Sequence, residues 1–299
     1  MRRPIASTAL LVVAALALSA CGGGRRAAAP AEPMDVELAS ARRAAAFAFA
    51  QGRHEQATQL YRQALERAQA RDDGEAIGDL GYDLAVAQLR RGDPAAARAT
   101  AQATRAELDR RGRPSFPELA LVEASALYRL GDAATAQELA RGLAAGTGDA
   151  AARARFLLGR IAADRRDLPA LEAAISGLAG ATGPEWSADR AELAARAASL
   201  RGDLVEARRG FVSAADLRRD TLDYPGMARA LAGAGAAADA AGDARGAADL
   251  FLRAGRSALL AGGQASAAED WLVQAERLAR AAGDRAILEQ VAALRARGA

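Results

Sequence analysis

The chain has 299 residues, of which 51% are apolar and only 4% aromatic, with 40 basic against 37 acidic residues. This near balance of charge leaves no basic excess to attract nucleic acid. All basic residues are arginines, and there is one histidine and one cysteine, which excludes a lysine Schiff base, a Walker-type phosphate loop and a Cys/His zinc site. Alanine and leucine dominate the apolar content while valine, isoleucine and threonine are sparse, so the composition predicts an all-α protein.

Residues 1–20 have the pattern of a secretory signal peptide. Arg2 and Arg3 supply a positive start, and the apolar run over residues 5–20 is short for a spanning helix, which needs about 20 residues. The run ends in an aliphatic residue, two small residues and the only cysteine of the chain, namely Leu18, Ser19, Ala20 and Cys21. The alternatives are an ordinary cleaved signal peptide and a short anchor that happens to contain a cysteine.

These four residues resemble the lipobox of bacterial lipoproteins. The resemblance implies diacylation of the Cys21 thiol, cleavage before Cys21 and acylation of the new amino group, and two or three acyl chains give stable membrane anchoring. Gly22 follows the cysteine, where an aspartate retains lipoproteins of the enterobacterial type in the inner membrane, so the resemblance favours the outer membrane. Residues 21–37 are rich in glycine, alanine and proline and are expected to form a flexible tether.

A Gly-Asp pair recurs along the rest of the chain at intervals of 35–41 residues. A repeat of this length is typical of solenoid proteins. We expect each pair to join two helices, because glycine can end one helix in the left-handed conformation and aspartate can accept hydrogen bonds from the free N–H groups of the next. Five copies are complete and two are degenerate: Gly92-Asp93, Gly131-Asp132, Gly202-Asp203, Gly242-Asp243 and Gly283-Asp284, with Gly52-Arg53 and Arg166-Asp167 in the gaps.

The first complete copy contains the tripeptide Arg91-Gly92-Asp93, which some extracellular proteins use for cell adhesion. The same tripeptide recurs at Arg201-Gly202-Asp203 as part of the repeat. Pro94 follows the first copy at a position that suits the first turn of a helix, where no N–H is needed. We therefore interpret the tripeptide as a joint between two helices.

Apolar residues follow each joint at fixed offsets. Small and large apolar residues recur 5, 9 and 12 residues after the turn position, and steps of four and three place them on one helical face. The pattern resembles the tetratricopeptide repeat (TPR), and the first unit matches it best, at Ala45, Gly52, His54, Ala57, Tyr61 and Ala64. The units are longer than the usual 34 residues, and most lack the proline that often closes a repeat.

The resemblance to TPR proteins implies a fold and a binding mode. The fold is all-α, a right-handed α-solenoid of about seven TPR-like helix pairs over residues 38–299. In this family the first helices of the pairs line a concave groove that binds extended peptides or helices. A carboxylate clamp of the chaperone-binding type is not expected, because that clamp depends on lysine and asparagine and the chain has neither.

Transferring the groove positions from the family gives candidate partner-binding residues on five of the first helices. The competing interpretation is that the aromatic residues pack between helices and the arginines are merely solvated. His54 stands where the family has an aromatic residue in the turn, so we interpret it as a packing residue. The candidates are Tyr82, Val86, Arg90, Leu121, Ser125, Arg129, Phe156, Arg160, Asp164, Glu192, Arg196, Arg277 and Arg280.

These observations predict a membrane-anchored lipoprotein that faces the periplasm, at the outer membrane. It would act as a TPR-type scaffold for protein–protein interaction in cell-envelope assembly or secretion, with another envelope protein or a peptide segment as partner. The alternative is a solenoid that binds a small molecule or a glycan strand. We expect no catalytic residue, no metal and no cofactor.

The lipobox resemblance predicts that Cys21→Ser moves the protein from the membrane fraction to the soluble fraction, because the acylated thiol would be lost. Fractionation of cells that produce either form, followed by immunoblotting, measures the distribution. Membrane association of the variant equal to that of the parent protein would contradict the resemblance.

Overall fold

Fourteen α-helices and no strand make up the part of the chain described by the computed structural model, residues 35–261 and 265–298. The signal peptide, Cys21 and the tether as far as residue 34 lie outside the described residues. The helices are α1 (Val36–Ala50), α2 (His54–Ala70), α3 (Gly74–Arg91), α4 (Pro94–Arg110), α5 (Pro117–Arg129), α6 (Ala133–Ala144), α7 (Gly148–Asp164), α8 (Leu168–Gly177), α9 (Pro184–Arg201), α10 (Leu204–Asp220), α11 (Tyr224–Ala240), α12 (Ala244–Ala261), α13 (Ala265–Ala282) and α14 (Arg285–Gly298).

Each helix packs against the next one along the chain, which produces seven consecutive helix pairs. Every expected joint lies between the two helices of one pair, from Gly52 between α1 and α2 to Gly283 between α13 and α14. The prediction of an all-α, TPR-like solenoid of about seven helix pairs is confirmed. None of the helices in the described residues is long and apolar enough to cross a membrane.

The joints have the backbone conformation that the Gly-Asp repeat predicts. Six of the seven turn positions are glycines with positive φ, between +68° at Gly283 and +91° at Gly92. In the degenerate fourth copy, Arg166 takes the same left-handed conformation, with φ of +57°. A side chain in this conformation costs about 1–2 kcal/mol, so the fourth joint is formed at some expense in stability.

The aspartates of the joints cap the helices that follow them. The carboxylate of Asp93 accepts a hydrogen bond from the N–H of Ala96 at 3.0 Å, and Asp132, Asp167 and Asp243 make the equivalent contact. Asp203 makes no such bond. Pro94 opens α4, as the interpretation of Arg91-Gly92-Asp93 requires.

Small residues allow the two helices of a pair to approach closely. Ala57, Ala207 and Ala247 are completely buried at equivalent positions of their second helices. A Cβ atom added to Gly235 would lie 2.9 Å from the Phe251 ring of the paired helix, and one added to Gly159 would lie 3.2 Å from Ala174 of the paired helix and 2.5 Å from Leu193 of the next pair. The small positions of the repeat therefore mark contacts between helices.

The odd-numbered helices form a common surface. From α3 to α11, each odd-numbered helix contacts the next odd-numbered helix, whereas α4, α6, α8 and α10 pack mainly against their neighbours in sequence. The side chain of Arg90, at the end of α3, also lies 3.5 Å from that of Asp223, which caps α11. We call the surface formed by α3, α5, α7, α9 and α11 the inner surface.

The backbone conformation of the joints predicts opposite effects for two substitutions. Gly202→Ala should lower the free energy of unfolding by about 1 kcal/mol, because Gly202 has a φ of +87° and an added Cβ would meet no other atom. Arg166→Gly should raise it by about 0.5–1 kcal/mol. Relief of the strain at that joint stabilises the fold, and the greater freedom of glycine in the unfolded chain offsets only part of this gain. Urea unfolding measures both, and a shift of the two variants in the same direction would contradict this account.

Candidate functional site

A buried ionic cluster lies where α9, α10 and α11 meet. Arg218 of α10 is only 5% exposed and points toward α9. Its guanidinium lies 2.7 Å from the carboxylates of Asp189, Glu192 and Asp223. Burial raises the pKa of Asp189, despite the neighbouring charge of Arg218. The cluster therefore contains more than one simple ion pair, and its charges are largely removed from water.

Glu192 is the centre of this cluster and is completely buried. Arg229 of α11 donates two hydrogen bonds of 3.0 Å to its carboxylate, one from Nε and one from Nη2. Arg196, one turn further along α9, donates a third at 3.3 Å. Burial alone would raise the pKa of Glu192, but the charges of Arg229, Arg218 and Arg196 outweigh it and hold the pKa well below its usual value. Glu192 is therefore ionised at neutral pH.

Phe156 of α7 connects the cluster to the preceding helix pair. Its ring lies 5.5 Å from the guanidinium carbon of Arg218 and 6.0 Å from that of Arg229. Guanidinium groups at this distance from a ring are attracted by the negative potential of its face. Phe156 is half-buried, so it contributes both packing and a contact to two of the arginines.

Arg160 and Arg129 extend the cluster along α7 and α5 without a carboxylate partner. The guanidinium of Arg160 stacks 4.7 Å from the ring centre of Tyr128, and its buried Nε makes no hydrogen bond. Burial and the positive charges of Arg229 and Arg196 lower the pKa of Arg160 to about 10. Arg129 donates a hydrogen bond of 2.7 Å to the carbonyl of Leu89, and its pKa is lowered by burial and by two other arginines.

Positive charge exceeds negative charge in this group of side chains. Arg90 and Arg196 complete it, since they pair with Asp223 at 3.5 Å and with Asp164 at 3.6 Å. Tyr128 also donates a short hydrogen bond to Asp164. The group, which we call the arginine cluster, contains six arginines and four carboxylates: Arg90, Arg129, Arg160, Arg196, Arg218 and Arg229 with Asp164, Asp189, Glu192 and Asp223.

A cavity of about 400 Å³ adjoins the arginine cluster on the side of α11 and α13. Ten of its thirteen lining residues are apolar, and the other three are Arg196, Arg229 and Ser199. The Nε of Arg196 is buried and has no hydrogen-bond partner. The apolar residues are Ala163, Leu200, Leu204, Phe211, Ala232, Gly233, Ala236, Ala237, Ala240 and Trp271. The described residues contain no group of histidine, cysteine and acidic side chains that could hold a metal ion.

The structure brings all five candidate residues of α7 and α9 together, and with them one from α3 and one from α5. Arg90, Arg129, Phe156, Arg160, Asp164, Glu192 and Arg196 all belong to the arginine cluster or contact it. Glu192 differs from an open groove residue, because it is buried among arginines.

The remaining candidates lie elsewhere. Tyr82 and Val86 pack partly buried against the core between α3 and α5, and Leu121 packs against the core of the next pair. Ser125 is half-buried, one turn before Arg129. Arg277 pairs with Asp239 at 2.6 Å, and Arg280 pairs with Glu276.

His54 packs at the joint between α1 and α2. Its ring lies 5.4 Å from that of Phe49, and burial, together with the charge of Arg90, lowers its pKa. Arg91 of the adhesion-like tripeptide pairs with Asp93 and Glu55. Both side chains thus have structural partners at the joints between helices.

Sequence reasoning missed five members or close partners of the cluster: Arg218, Arg229, Asp189, Asp223 and Tyr128. Arg218 lies on a second helix, which the TPR resemblance does not assign to the groove. Arg229 and Asp189 occupy equivalent positions of α11 and α9, each 13 residues before its turn glycine. This position lies three residues before the first groove position transferred from the family. It holds a charged residue in six of the seven first helices, and this regularity in the repeat could have identified it.

Comparison with known proteins gives only structural likenesses. No family model matches the sequence, and no curated protein matches it significantly. A tetratricopeptide repeat protein from Parabacteroides merdae has a TM-score of 0.48 at 17% identity, covering 85% of this chain and 97% of that one. The apo form of RapI gives 0.45 at 11%, covering 85% and 79%, and BtubC from P. vanneervenii gives 0.41 at 17%, covering 83% and 91%. At such identities these likenesses say nothing about what the chain binds.

The burial of Glu192 predicts a pH-dependent contribution to stability. Glu192→Gln should lower the free energy of unfolding at neutral pH by about 3 kcal/mol, because buried arginines would lose their counter-charge. A carboxyl with a lowered pKa stabilises the fold above its unfolded-state pKa, near 4.5, and this contribution declines as the pH falls further. The difference in the free energy of unfolding between Glu192→Gln and the parent protein should therefore decrease below about pH 4.5.

Glu206→Gln is the matched control, since Glu206 is an exposed residue paired with Arg209 on α10. It should change stability by less than about 0.5 kcal/mol. Urea unfolding at a series of pH values measures all three proteins. If the difference in the free energy of unfolding between the parent protein and Glu192→Gln did not change with pH, the charge of Glu192 would not be what stabilises the cluster.

Proposed function

We propose that the protein is a lipid-anchored scaffold that holds a segment of another envelope protein on its inner surface. The observation that carries the proposal is the inner surface itself, on which successive first helices bring aromatic and arginine side chains together. Phe156 and Arg160 lie one turn apart on α7, and Tyr128 and Arg129 are neighbours on α5. Aromatic residues and arginine are enriched at the centres of protein interfaces.

The extent of the surface favours an extended partner. It crosses four helix pairs between Arg90 on α3 and Arg196 on α9. A helical repeat protein offers such a surface without rearrangement, because each pair packs only against its neighbours and keeps its place in the stack. The unpaired arginines Arg129 and Arg160 give the surface a preference for a segment that carries acidic groups.

The proposed location follows from the N-terminal sequence. The lipobox-like residues before Cys21 support acylation, and Gly22 supports sorting to the outer membrane, with the solenoid facing the periplasm. A tether of residues 21–35, ending where α1 begins, would have a mean end-to-end distance of about 21 Å if it behaves as a flexible chain. The solenoid could therefore meet a partner close to the membrane, in envelope assembly or secretion.

Binding without catalysis accounts best for the chemistry of the cluster. Its four carboxylates each lie within 4 Å of an arginine, so they serve as ion-pair partners. His54 contacts a phenylalanine at a joint. The side chains near the cavity are alanines, leucines, aromatics and arginines, which recognise a ligand by shape and charge.

Site-specific photo-crosslinking in cells tests the proposal. A photoreactive amino acid replaces either Ser125 or Val86, both half-buried residues of the inner surface. The expected result is one discrete crosslinked partner that is the same from both positions, since the two side chains lie on adjacent first helices. Mass spectrometry of the crosslinked band identifies the partner and the segment that is bound.

Val205 is the matched control, because it is 83% exposed at the start of α10, a second helix. A probe at Val205 should give no crosslink to the same partner. Equal crosslinking from Val205, or none from the two inner positions while the protein is normally produced, would contradict the proposed role of the inner surface.

A further inference from the structure

Two buried arginine donors make no hydrogen bond, one at the cavity wall and one on the helix turn that precedes a lining residue. The Nε of Arg196 is buried at the cavity wall and the Nε of Arg160 is buried one turn before Ala163, another lining residue. Arg160 has no carboxylate within 4 Å and stacks only on Tyr128. A buried cation without a counter-charge is costly, and an anion that reached it would remove that cost.

The cavity beside these donors is apolar. Phe211, Leu200, Leu204 and Trp271 form its larger side chains, and alanines and Gly233 leave the remaining space open. Its volume of about 400 Å³ falls within the range of small-molecule pockets, roughly 300–1,000 Å³. No acidic residue lines it among the described residues, and Glu192, the carboxylate that Arg196 and Arg229 share, is completely buried.

We propose that this cavity binds a small amphiphilic carboxylate, an unbranched acyl chain that ends in a carboxylate group. The chain lies between Phe211 and Trp271, and the carboxylate faces Arg196 and Arg160, whose Nε atoms have no partner in the protein. Guanidinium groups present planar, paired donors that match a carboxylate. The site shares Arg160 and Arg196 with the inner surface, but it needs no protein segment on α3 and α5, so a binding titration tests it independently of the proposed scaffold function.

The apolar cavity and the arginines beside it together suit a ligand that has both an apolar and an anionic part. An anion alone would find arginines already partly neutralised by Glu192, and an acyl chain alone would find a cavity that opens onto charged groups. A ligand with both parts places each against its complement. Apolar burial supplies most of the affinity and the charged contacts fix the orientation, as is usual in small-molecule sites.

Calorimetric titration of the full chain carrying Cys21→Ser tests the proposal, because that variant has no acyl chains of its own to compete. The probes are decanoate, decan-1-ol and acetate, which represent the whole ligand, its chain and its head. Decanoate should bind at least about tenfold more tightly than either of the others. A change in the fluorescence of Trp271, which lines the cavity, should accompany binding.

Two variants separate the contributions of charge and cavity. Arg160→Met should weaken decanoate binding about tenfold or more and leave decan-1-ol binding unchanged, because the loss of a charge-assisted contact affects only the anion. It leaves no buried carboxylate unpaired. Ala236→Leu should weaken both ligands, since Ala236 is an exposed lining residue and a larger side chain would fill the cavity.

The matched controls are Arg209→Met and Ala134→Leu, which change exposed residues of α10 and α6 outside the cavity. Neither should alter the affinity for decanoate. Decan-1-ol bound as tightly as decanoate, no measurable binding of decanoate, or an unchanged affinity in Ala236→Leu would each overturn the proposal. Circular dichroism of every variant confirms that the helical fold is retained before the affinities are compared.

Discussion

The complete burial of Glu192 is the constraint on which the centre of this solenoid depends. Removing a carboxylate from water costs several kcal/mol, so the fold is stable only if cations meet Glu192 with good geometry. Arg196 does so from the same helix, Arg218 from α10 and Arg229 from α11. Three consecutive helices are thereby held in one register by charge, in an interior that alanine otherwise fills with little side-chain volume.

The same arrangement leaves positive charge in excess. Arg218 and Arg229 form ion pairs with the carboxylates of the cluster, at Asp189, Glu192 and Asp223. By contrast, Arg129 contacts a backbone carbonyl and Arg160 contacts an aromatic ring, and neither pairs with a carboxylate. Structural arginines need carboxylates in fixed positions, and the arginine donors that bind a ligand need to be free of them. The arginine cluster contains both kinds side by side, which is the physical basis for the proposed preference for anionic groups.

The fold could be predicted from the sequence because its joints are local. A turn glycine, a capping aspartate and alanines at offsets of a few residues each act within one helix pair, as at Gly92, Asp93 and Ala97. The ionic cluster could be predicted only in part. Glu192 and Arg229 are 37 residues apart and Arg218 and Asp189 are 29 apart, so their contacts depend on how successive pairs pack. Arg218 also belongs to a second helix, where the repeat pattern indicates only packing.

The central claim is that the arginine cluster and its cavity form a binding site and do not serve stability alone. The most direct measurement is a crystal structure of the protein with 10-bromodecanoate, in which anomalous scattering locates the bromine. The account predicts one bromine peak in the cavity near Phe211 and Trp271, with the carboxylate at Arg196 and Arg160. Bromine found only at other places on the surface, with the cavity empty, would contradict it.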